Sequence, residues 1–384
     1  MTAPYHPSDR EKVVAKLPTD LRKDLKVRAA ELGVDIQDAV TEGVTAWRRA
    51  KSRPQVDTTG GSSFATYLPA GLYGKLKDTC KDRKLSYNQG LAQSIHLWLD
   101  SHPSPRPQPP RESGARRVIM GNQKGGVGKT ATSAGVAQAL AEMGKRTLLI
   151  DFDPQGHLTR QLGYQMLDID SPSLAKHMLG EARGDIRDLL VPIKGGDFEG
   201  RLHLLPACKD AFLLDAKLAT SRSVRIKETA LERALEPLAH EFDYIVVDCP
   251  PSLGYAMDTA LYYSRTRDGE EAGQSGIVVV VLAEDSSADA YDMLLEQIED
   301  LAEDMSITIS QLGFVVNMYD SRKGYVATSS LDEWHQIGDP AVLAVIPELK
   351  EQREAVRVKQ PLLAYEPDCE QAIALRTIAR RISE

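Results

Sequence analysis

From residue 116 onward, unbroken apolar runs alternate with stretches whose apolar residues recur at helical spacing. Such runs are typical of strands buried on both faces, and their alternation with helices predicts a mostly parallel sheet covered by helices on both faces. The predicted strands are RRVIMGN, RTLLIDFD, LHLLPA, YIVVDCP, GIVVVVLAE, LGFVVNM and AVLAVIPE. The fold class predicted for residues 116–384 is therefore α/β.

The first hundred residues show a different pattern, and it occurs twice. Residues 11–50 and 62–101 align without a gap at a constant offset of 51 residues, which places Trp47 on Trp98. In each repeat, apolar and polar residues alternate up to a Leu-Pro pair, and two segments of helical spacing follow. Each repeat is therefore predicted to be a strand followed by two helices, a small α+β region within residues 1–100.

Composition and charge separate these two parts of the chain. Residues 101–115 contain five prolines and almost no apolar residue, which predicts an extended linker. Residues 1–116 carry 19 Lys+Arg against 13 Asp+Glu, a net of +6, so the total of −8 leaves −14 for the remainder. A basic N-terminal part joined to an acidic remainder is compatible with contact between the N-terminal part and nucleic acid. Four scattered cysteines without a C-x-x-C pair argue against a zinc or iron–sulfur site and suit a reducing cytoplasm.

The stretch GNQKGGVGKT, residues 121–130, predicts a phosphate-binding loop between a strand and a helix. It departs from G-x-x-x-x-G-K-[ST], because Gln123 replaces the first glycine and an extra lysine, Lys124, precedes the usual Lys129. Lys129 is expected to reach the β and γ phosphates, and Thr130 to place its hydroxyl on Mg²⁺. The loop residues expected to surround the nucleotide phosphates are Gly125, Gly126, Val127, Gly128 and Ala131.

Three carboxylates follow predicted strands. Asp151 and Asp153 come at the end of RTLLIDFD, and Asp248 ends YIVVD. The carboxyl ends of parallel strands meet at the edge of a sheet where ligands bind. These carboxylates are therefore expected near the phosphate-binding loop.

Together, K-G-G-V-G-K-T, D-F-D-P-Q-G and V-V-D-C-P-P resemble the ParA/MinD class of deviant Walker ATPases, and the ParA-type partition ATPases most closely. The resemblance covers residues 116–384. It implies a P-loop NTPase fold, weak Mg²⁺-dependent hydrolysis of ATP to ADP, and a homodimer that sandwiches two ATP molecules. It also implies a cytoplasmic, nucleoid-associated protein that binds DNA when ATP is bound and is stimulated by a ParB-type centromere-binding partner, in the segregation of a plasmid or a chromosome.

The resemblance also implies roles for single residues. Lys124 would cross to the phosphates of the partner subunit, while Lys129 keeps the ordinary role. Asp153 would activate the attacking water, and Asp151 and Asp248 would act around Mg²⁺ through water. The adenine pocket would be formed by Asn317, Met318, Pro347 and Glu348.

The repeats at the front resemble the ribbon-helix-helix fold, in which two units pair their strands into a ribbon that enters the DNA major groove. Two copies in one chain could form this pair internally. The outward residues of the ribbon are predicted to be Lys12, Val14 and Lys16 from one copy and Ser63, Ala65 and Tyr67 from the other. The region would bind the operator or the centromere; the alternative is a helical module that contacts only protein.

Members of the ParA family also bind non-specific DNA through basic residues of the ATPase dimer. The candidates for this contact here are Arg322, Lys323, Arg353, Arg357 and Lys359, and an ordinary solvated charge is at least as good an interpretation of any one of them. Two features depart from the family pattern. The loop between Asp258 and the next strand is longer than usual, and Glu348 stands where an arginine commonly follows Ile-Pro.

Two other functions compete with DNA partition. A MinD-like membrane-cycling ATPase needs a basic amphipathic helix at the C-terminus with a bulky apolar face. The segment EQAIALRTIARRISE has Ile373, Ile378 and Ile382 but no Phe or Trp, and its small apolar face suits packing on its own sheet. The other alternative is a transcriptional regulator that uses ATP as a switch, which would bind an operator without coating random DNA. An electron-transferring iron protein is disfavoured because Cys249 is a lone thiol.

Overall fold

A computed structural model describes residues 10–50, 56, 58, 61–102, 114–284 and 286–384. Most of the proline-rich segment, residues 103–113, lies outside the described residues. The described chain divides into two compact units, one holding the elements up to Ser101 and the other holding the elements from Arg116 onward. The two units are described separately.

The first unit contains two strand–helix–helix repeats, as the sequence pattern predicts. Its elements, in chain order, are β1 Arg10–Leu17, α1 Thr19–Leu32, α2 Ile36–Arg49, β2 Ser62–Pro69, α3 Leu72–Asp82 and α4 Tyr87–Ser101.

The two strands of this unit pair antiparallel along their whole length, from Arg10 opposite Pro69 to Leu17 opposite Ser62. One face of the ribbon is buried and the other is exposed, with the two alternating residue by residue. This alternation follows from the period of two in a strand, because Val13, Ala15 and Leu17 all turn to the helices. The core of the unit also takes both tryptophans of the repeats.

Capping residues mark the ends of the helices in the first unit. Gly33 follows α1 with a φ of 65°, the left-handed conformation that glycine adopts at no steric cost. The Asp35 side chain accepts a hydrogen bond from the Gln37 N–H and so caps α2. In the second repeat, Ser86 and Gln89 form a capping box at the start of α4.

The described residues of the second unit form an eight-stranded sheet in the order β10-β9-β8-β3-β7-β4-β6-β5. Every neighbouring pair is parallel except β5 with β6, so the predicted mostly parallel sheet is confirmed. The strands are β3 Arg116–Gly121, β4 Thr147–Asp151, β5 Val191–Pro192, β6 Leu202–Leu205, β7 Tyr244–Asp248, β8 Gly276–Leu282, β9 Gln311–Tyr319 and β10 Val342–Pro347.

Helices cover this sheet, and short 3-10 turns connect some of them. The α-helices are α5 Lys129–Glu142, α6 His157–Gln161, α7 Leu174–Leu179, α8 Leu214–Thr220, α9 Ala230–Leu235, α10 Tyr255–Tyr263, α11 Ser286–Met305, α12 Tyr325–Ile337, α13 Glu351–Val358, α14 Leu362–Tyr365 and α15 Glu370–Arg381. Within the part of the chain that the structure describes, no helix combines the length and the apolar character needed to cross a membrane.

The strand order brings the candidate chemistry to one edge of the sheet. β3 lies between β7 and β8, and β7 lies between β3 and β4. The register sets Asp151 directly beside Asp248 and sets Met120, just before the loop, on the other side of Asp248. All residues of β4 and β7 are buried, as their unbroken apolar sequence predicts.

Two features were not predicted from the pattern of residues. The two-residue strand β5 is too short to leave a period in the sequence. The long connection after α10 is not a simple surface insertion, because its Glu270 side chain reaches the buried Arg117 of β3.

Candidate nucleotide-binding site

The loop between β3 and α5 has a backbone that only glycine supports at two positions. Gly126 and Gly128 have φ angles of 77° and 88°. A Cβ atom on Gly128 would lie 2.0 Å from the Asn317 Nδ2 atom, whereas a Cβ atom on Gly125 or Gly126 would meet open space. Gly128 therefore allows close packing of the loop against β9, whereas the space beside Gly125 and Gly126 is open.

Lys129 begins α5 at the base of this loop. Its side chain is almost entirely buried, and its Nζ atom donates a hydrogen bond to the Lys124 carbonyl at 3.0 Å. Burial lowers the pKa of Lys129, and the nearby Asp248, Cys249 and Asp153 act in the opposite direction. The loop thus holds a desolvated cation whose natural counter-charge is a buried anion.

Asp248 ends β7 and is fully buried. Its Oδ1 atom accepts a hydrogen bond from the Ser133 hydroxyl at 3.0 Å, while Oδ2 has no partner among the described residues. Burial, and then the charge of Asp151, raise the pKa of Asp248 to about 8, while the nearby Thr130 and Ser133 side chains act in the opposite direction.

Asp151 occupies the neighbouring position at the end of β4. Its Oδ2 atom accepts hydrogen bonds from the Thr159 N–H at 2.7 Å and from the Thr159 hydroxyl at 2.6 Å. Its Oδ1 atom has no partner among the described residues, and burial raises the pKa of Asp151 to about 6. Asp151 and Asp248 therefore each direct one unpartnered oxygen into a buried space, which fits the oxygen ligands that Mg²⁺ takes directly or through water.

Asp153 lies two residues beyond β4, in the turn that precedes α6. The carboxylate is nearly buried, and its Oδ1 atom accepts a hydrogen bond from the Gln155 N–H at 2.8 Å. This bond fixes the orientation of the carboxylate. Asp153 thus lies at the same end of β4 as Asp151, two residues further along the chain.

Lys124 lies half-buried near the start of the loop. Its N–H donates to the Asn122 Oδ1 atom at 2.9 Å, and its Nζ atom lies 3.4 Å from Glu284 Oε2. Asn122 in turn donates from Nδ2 to the Val280 carbonyl of β8 at 2.6 Å. Asn122 and Glu284 were not predicted to belong to the site; the available signal was a polar residue one or two positions after the end of a strand.

A cavity of about 80 Å³ opens beside the loop and contains three of the four residues expected around the adenine. Asn317 ties this cavity to the loop by donating from Nδ2 to the Val127 carbonyl at 2.8 Å. The fourth, Pro347, lies next to the cavity, where its carbonyl accepts a hydrogen bond from Gln371 Nε2 at 3.2 Å. Ala131, predicted in the phosphate-binding loop, and Arg353, predicted to contact DNA, also line the cavity. The lining residues that were not predicted to belong to any site are Thr132, Ile346, Leu349, Gln352, Gln371 and Leu375.

The five basic residues predicted to contact DNA in the second unit are all exposed. Three of them have acidic partners, since Arg322 pairs with Asp320 while Lys323 and Arg353 both pair with Glu348. The other two, Arg357 and Lys359, lie at the end of α13 and have no ion pair within the part of the chain that the structure describes. Glu348, the residue that departs from the family pattern, therefore neutralises part of this patch.

The six outward residues predicted for the first unit are all exposed on one face of the ribbon. They form three directly opposed pairs, which are Lys12 with Tyr67, Val14 with Ala65 and Lys16 with Ser63.

The buried carboxylates lead to a prediction about stability in the absence of Mg²⁺ and nucleotide. We expect Asp248→Asn to raise the free energy of unfolding by about 1–3 kcal/mol at pH 8, because it removes a buried charge that lacks a full set of partners. The folded pKa of Asp248, about 8, lies above the value of 3.8 that is usual for an aspartate, so the native state binds the extra proton and loses stability as pH rises between these values. Asparagine cannot ionise, so the difference in free energy of unfolding between the variant and the original chain should grow from pH 5 to pH 8. Urea unfolding in the presence of EDTA measures it.

The matched control for this measurement is Asp332→Asn, which alters an exposed carboxylate on α12 and should leave the unfolding curve unchanged at both pH values. An Asp248→Asn protein that is less stable than the original chain at pH 8 would contradict the prediction. It would mean that the carboxylate is stabilised in the folded protein rather than held there for a ligand.

Comparison with known proteins identifies relatives of the second unit. Residues 115–310 match the protein family described as "AAA domain". The chain is 31% identical to the chromosome-partitioning ATPase Soj of Thermus thermophilus over 70% of this chain and 95% of that protein. It is 29% identical to the sporulation initiation inhibitor protein Soj of Bacillus subtilis over 69% of this chain and 97% of that protein.

A solved structure shows the same architecture. Cobyrinic acid a,c-diamide synthase from Mycobacterium smegmatis, with bound ADP and magnesium, is 31% identical in sequence and superposes with a TM-score of 0.52. The match covers 69% of this chain and 93% of that chain. Residues 116–384 make up a similar share, 269 of 384 residues.

Proposed function

The chain belongs to the AAA-domain family that includes the Soj and ParA partition ATPases, and from this membership we propose that it is an ATP-dependent DNA partition ATPase. ATP and ADP are its nucleotides and Mg²⁺ its metal ion. A ParB-type protein bound at a centromere stimulates its weak hydrolysis of ATP. The cycle moves a plasmid or a chromosome over nucleoid DNA in the cytoplasm.

The observation that carries this proposal is the convergence of the loop lysine with two buried, incompletely partnered carboxylates. Lys129 and Asp248 interact electrostatically in the interior, and Asp151 is the strand neighbour of Asp248. Such a group of charges is costly to bury unless a ligand completes it. A nucleotide triphosphate with a divalent cation supplies the missing negative and positive charges.

The chain's own residues have distinct tasks in this proposal. Glycine N–H groups of the loop and Lys129 would hold the β and γ phosphates, while Thr130 would ligate the metal ion and Asp151 and Asp248 would act on it through water. When bound, Mg²⁺ neutralises charge that develops on the phosphate oxygens. Asp153 orients the attacking water and accepts its proton, which its position in the turn after β4 supports.

Lys124 has a separate role in the proposal, because it contacts the phosphates of the partner subunit in an ATP-bound dimer. Its side chain is partly exposed, with 24% of its surface accessible, whereas Lys129 is buried in its own loop. A second cation added from the partner offsets the repulsion among the phosphate oxygens only when ATP is present. This arrangement makes dimerisation depend on ATP.

DNA contact is assigned to two surfaces. In the second unit, Arg357 and Lys359 are the best candidates for DNA contact among the five basic residues, because the other three pair with acidic residues. In the first unit, the exposed face of the ribbon presents two lysines that can enter a DNA groove. Through this face the protein binds either its own operator, and so represses its operon, or the centromere. A membrane-cycling function is less well supported, since Ile378 and Ile382 of the C-terminal segment are buried rather than presented to a bilayer.

The test of this function is binding to random-sequence duplex DNA by the full chain without nucleotide, with ADP and with ATP, at a fixed salt concentration. We expect ATP alone to promote both dimerisation and DNA binding, and Lys124→Ala to lower ATP-dependent DNA binding at least tenfold. The matched control is Lys350→Ala, which removes an exposed lysine of the same charge that pairs with Glu354. Dimerisation is measured in parallel by light scattering.

Three outcomes would overturn parts of the proposal. If the affinity for random DNA is the same in every nucleotide state, ATP does not control DNA binding. Binding only to a specific upstream site, with no ATP-dependent binding to random DNA, would favour the ATP-switched transcriptional regulator. Dimerisation that survives in Lys124→Ala would show that this lysine does not act across the subunit interface.

A further inference from the structure

The exposed face of the ribbon is unequal in its two strands. β1 presents Lys12 and Lys16 on either side of Val14, whereas β2 presents no charged residue at its three exposed interior positions, Ser63, Ala65 and Tyr67. The two exposed lysines of this face therefore lie on one strand; Arg10 pairs with Asp38, and the Arg22 side chain of α1 donates to the Ser63 carbonyl of β2 at 3.1 Å.

The repeat makes this difference a break in symmetry. The offset of 51 residues makes Ser63 the equivalent of Lys12, and Tyr67 the equivalent of Lys16. A rotation that exchanges the two repeats thus places each lysine on a neutral side chain. The buried face keeps the symmetry, since both tryptophans of the repeats are buried in the same core.

The starts of the two second helices differ in charge as well. α2 is capped by Asp35 and carries Asp38 in its first turn, whereas the first turn of α4 has no acidic residue. The Asn88 side chain accepts a hydrogen bond from the Lys16 N–H at 2.9 Å, so the start of α4 lies beside the ribbon. Arg10 of β1 pairs with Asp38 and also donates to the Gln37 side chain, so the start of α2 is closed by an ion pair, whereas the start of α4 is neutral. The two ends of the ribbon therefore differ in charge pattern as well.

We propose that the first unit reads a DNA site that lacks two-fold symmetry and therefore binds it in one orientation. A symmetric dimer selects a palindrome because its two halves present the same side chains, and here they do not. Lysine selects guanine in the major groove, whereas serine accepts any base and small apolar groups contact the thymine methyl. This inference rests on the proposed function of the ribbon as a DNA-binding surface.

The spacing of the two lysines predicts the spacing of the bases. Lys12 and Lys16 are four residues apart on β1, which at about 3.4 Å per residue separates them by roughly 14 Å. Base pairs are stacked about 3.4 Å apart, so the two contacted guanines should lie about four base pairs from each other. Val14 and Ala65, opposed at the centre, favour a thymine between them.

The test is selection of binding sites from a randomised duplex library by the nucleotide-free full chain. The expected result is an enriched sequence that is not an inverted repeat and that contains two guanines about four base pairs apart. Lys12→Ala and Lys16→Ala should each lower affinity about tenfold and relax the preference at one guanine only. Lys81→Ala, at an exposed position on α3, serves as the control that removes one positive charge without changing the preferred sequence.

A second variant tests the symmetry itself. The double substitution Ser63→Lys with Tyr67→Lys gives both strands the same pair of cations at exposed positions, so its selected site should become an inverted repeat. A palindrome selected by the original chain would overturn the inference and leave DNA binding by the ribbon intact. Failure to enrich any sequence, with ATP-dependent binding to random DNA still present, would overturn both the inference and DNA reading by the ribbon while the ATPase proposal stands.

Discussion

Substitution of Lys129 by alanine is expected to lower ATP turnover at least 100-fold. The side chain is buried at the base of the loop, where its Nζ atom donates to the Lys124 carbonyl and lies near Asp248. Removal of one fixed donor that acts on developing phosphate charge typically costs about 100-fold to 1000-fold in rate. The measurement is phosphate release at saturating ATP and Mg²⁺, together with direct binding of a fluorescent ATP analogue.

A lysine of the same charge on the surface provides the control for this experiment. Lys350 pairs with Glu354 along one face of α13 and is largely exposed, so Lys350→Ala should leave turnover within about twofold because exposed pairs of this kind contribute little. A Lys129→Ala protein that retains more than half of the turnover would contradict the assignment. The loop would then bind an anion other than the phosphates of a hydrolysed nucleotide.

The loop and its carboxylates could be predicted from the sequence because their positions follow from local rules. A strand buried on both faces must be apolar throughout, so the first charged residue after it marks the strand end, as Asp248 does after β7. The parallel arrangement then brings several strand ends to one edge without any further information. The direct neighbourhood of Asp151 and Asp248 is the structural consequence.

The residues that complete the site could not be predicted in this way because they are distant in the chain. Gln371 and Leu375 belong to α15 and reach the cavity only because that helix packs against β10. Glu284 follows β8 and approaches Lys124 across the top of the sheet. Residue order contains no period that relates these positions to residues 121–130, so only the packing of elements brings them together.

The first unit was predictable for a further reason, which is that a repeat carries its own constraint. A single strand–helix–helix segment leaves an apolar face uncovered, so two copies in one chain can bury that face against each other. The alternation of residues in β1 then fixed which side chains point outward, and the observed register opposes them in pairs. The unequal charge of the two strands can be seen in the sequence. The register of the two strands was needed to show that the two lysines lie opposite neutral residues on the paired strand.

Loss of Arg117 is expected to lower the free energy of unfolding of the second unit by about 3–5 kcal/mol, the usual cost of removing one partner from a buried ion pair. Arg117 lies on β3 and donates to both carboxylate oxygens of Glu270, at 2.7 and 2.5 Å. It also donates to the carbonyls of Tyr263, Ala115 and Arg265, so it joins the central strand to the long connection after α10. Arg117→Met keeps the apolar volume and removes these bonds, and urea unfolding measures the result.

The matched variants separate the ion pair from the packing. Burial alone would raise the pKa of Glu270, but hydrogen bonds and charge from Arg117 hold it below its usual value. A carboxylate with a lowered folded pKa stabilises the protein above its unfolded pKa, near 4.5, and loses that contribution as pH falls further. The loss of stability caused by Arg117→Met should therefore shrink at acidic pH, where the unpaired Glu270 is protonated.

The double variant Arg117→Met with Glu270→Leu should recover much of the stability, because two apolar groups replace a buried pair at little net cost. A loss below about 1 kcal/mol for Arg117→Met at pH 7 would contradict this account, since it would require Glu270 to leave the interior without cost and the connection after α10 to be an ordinary surface loop.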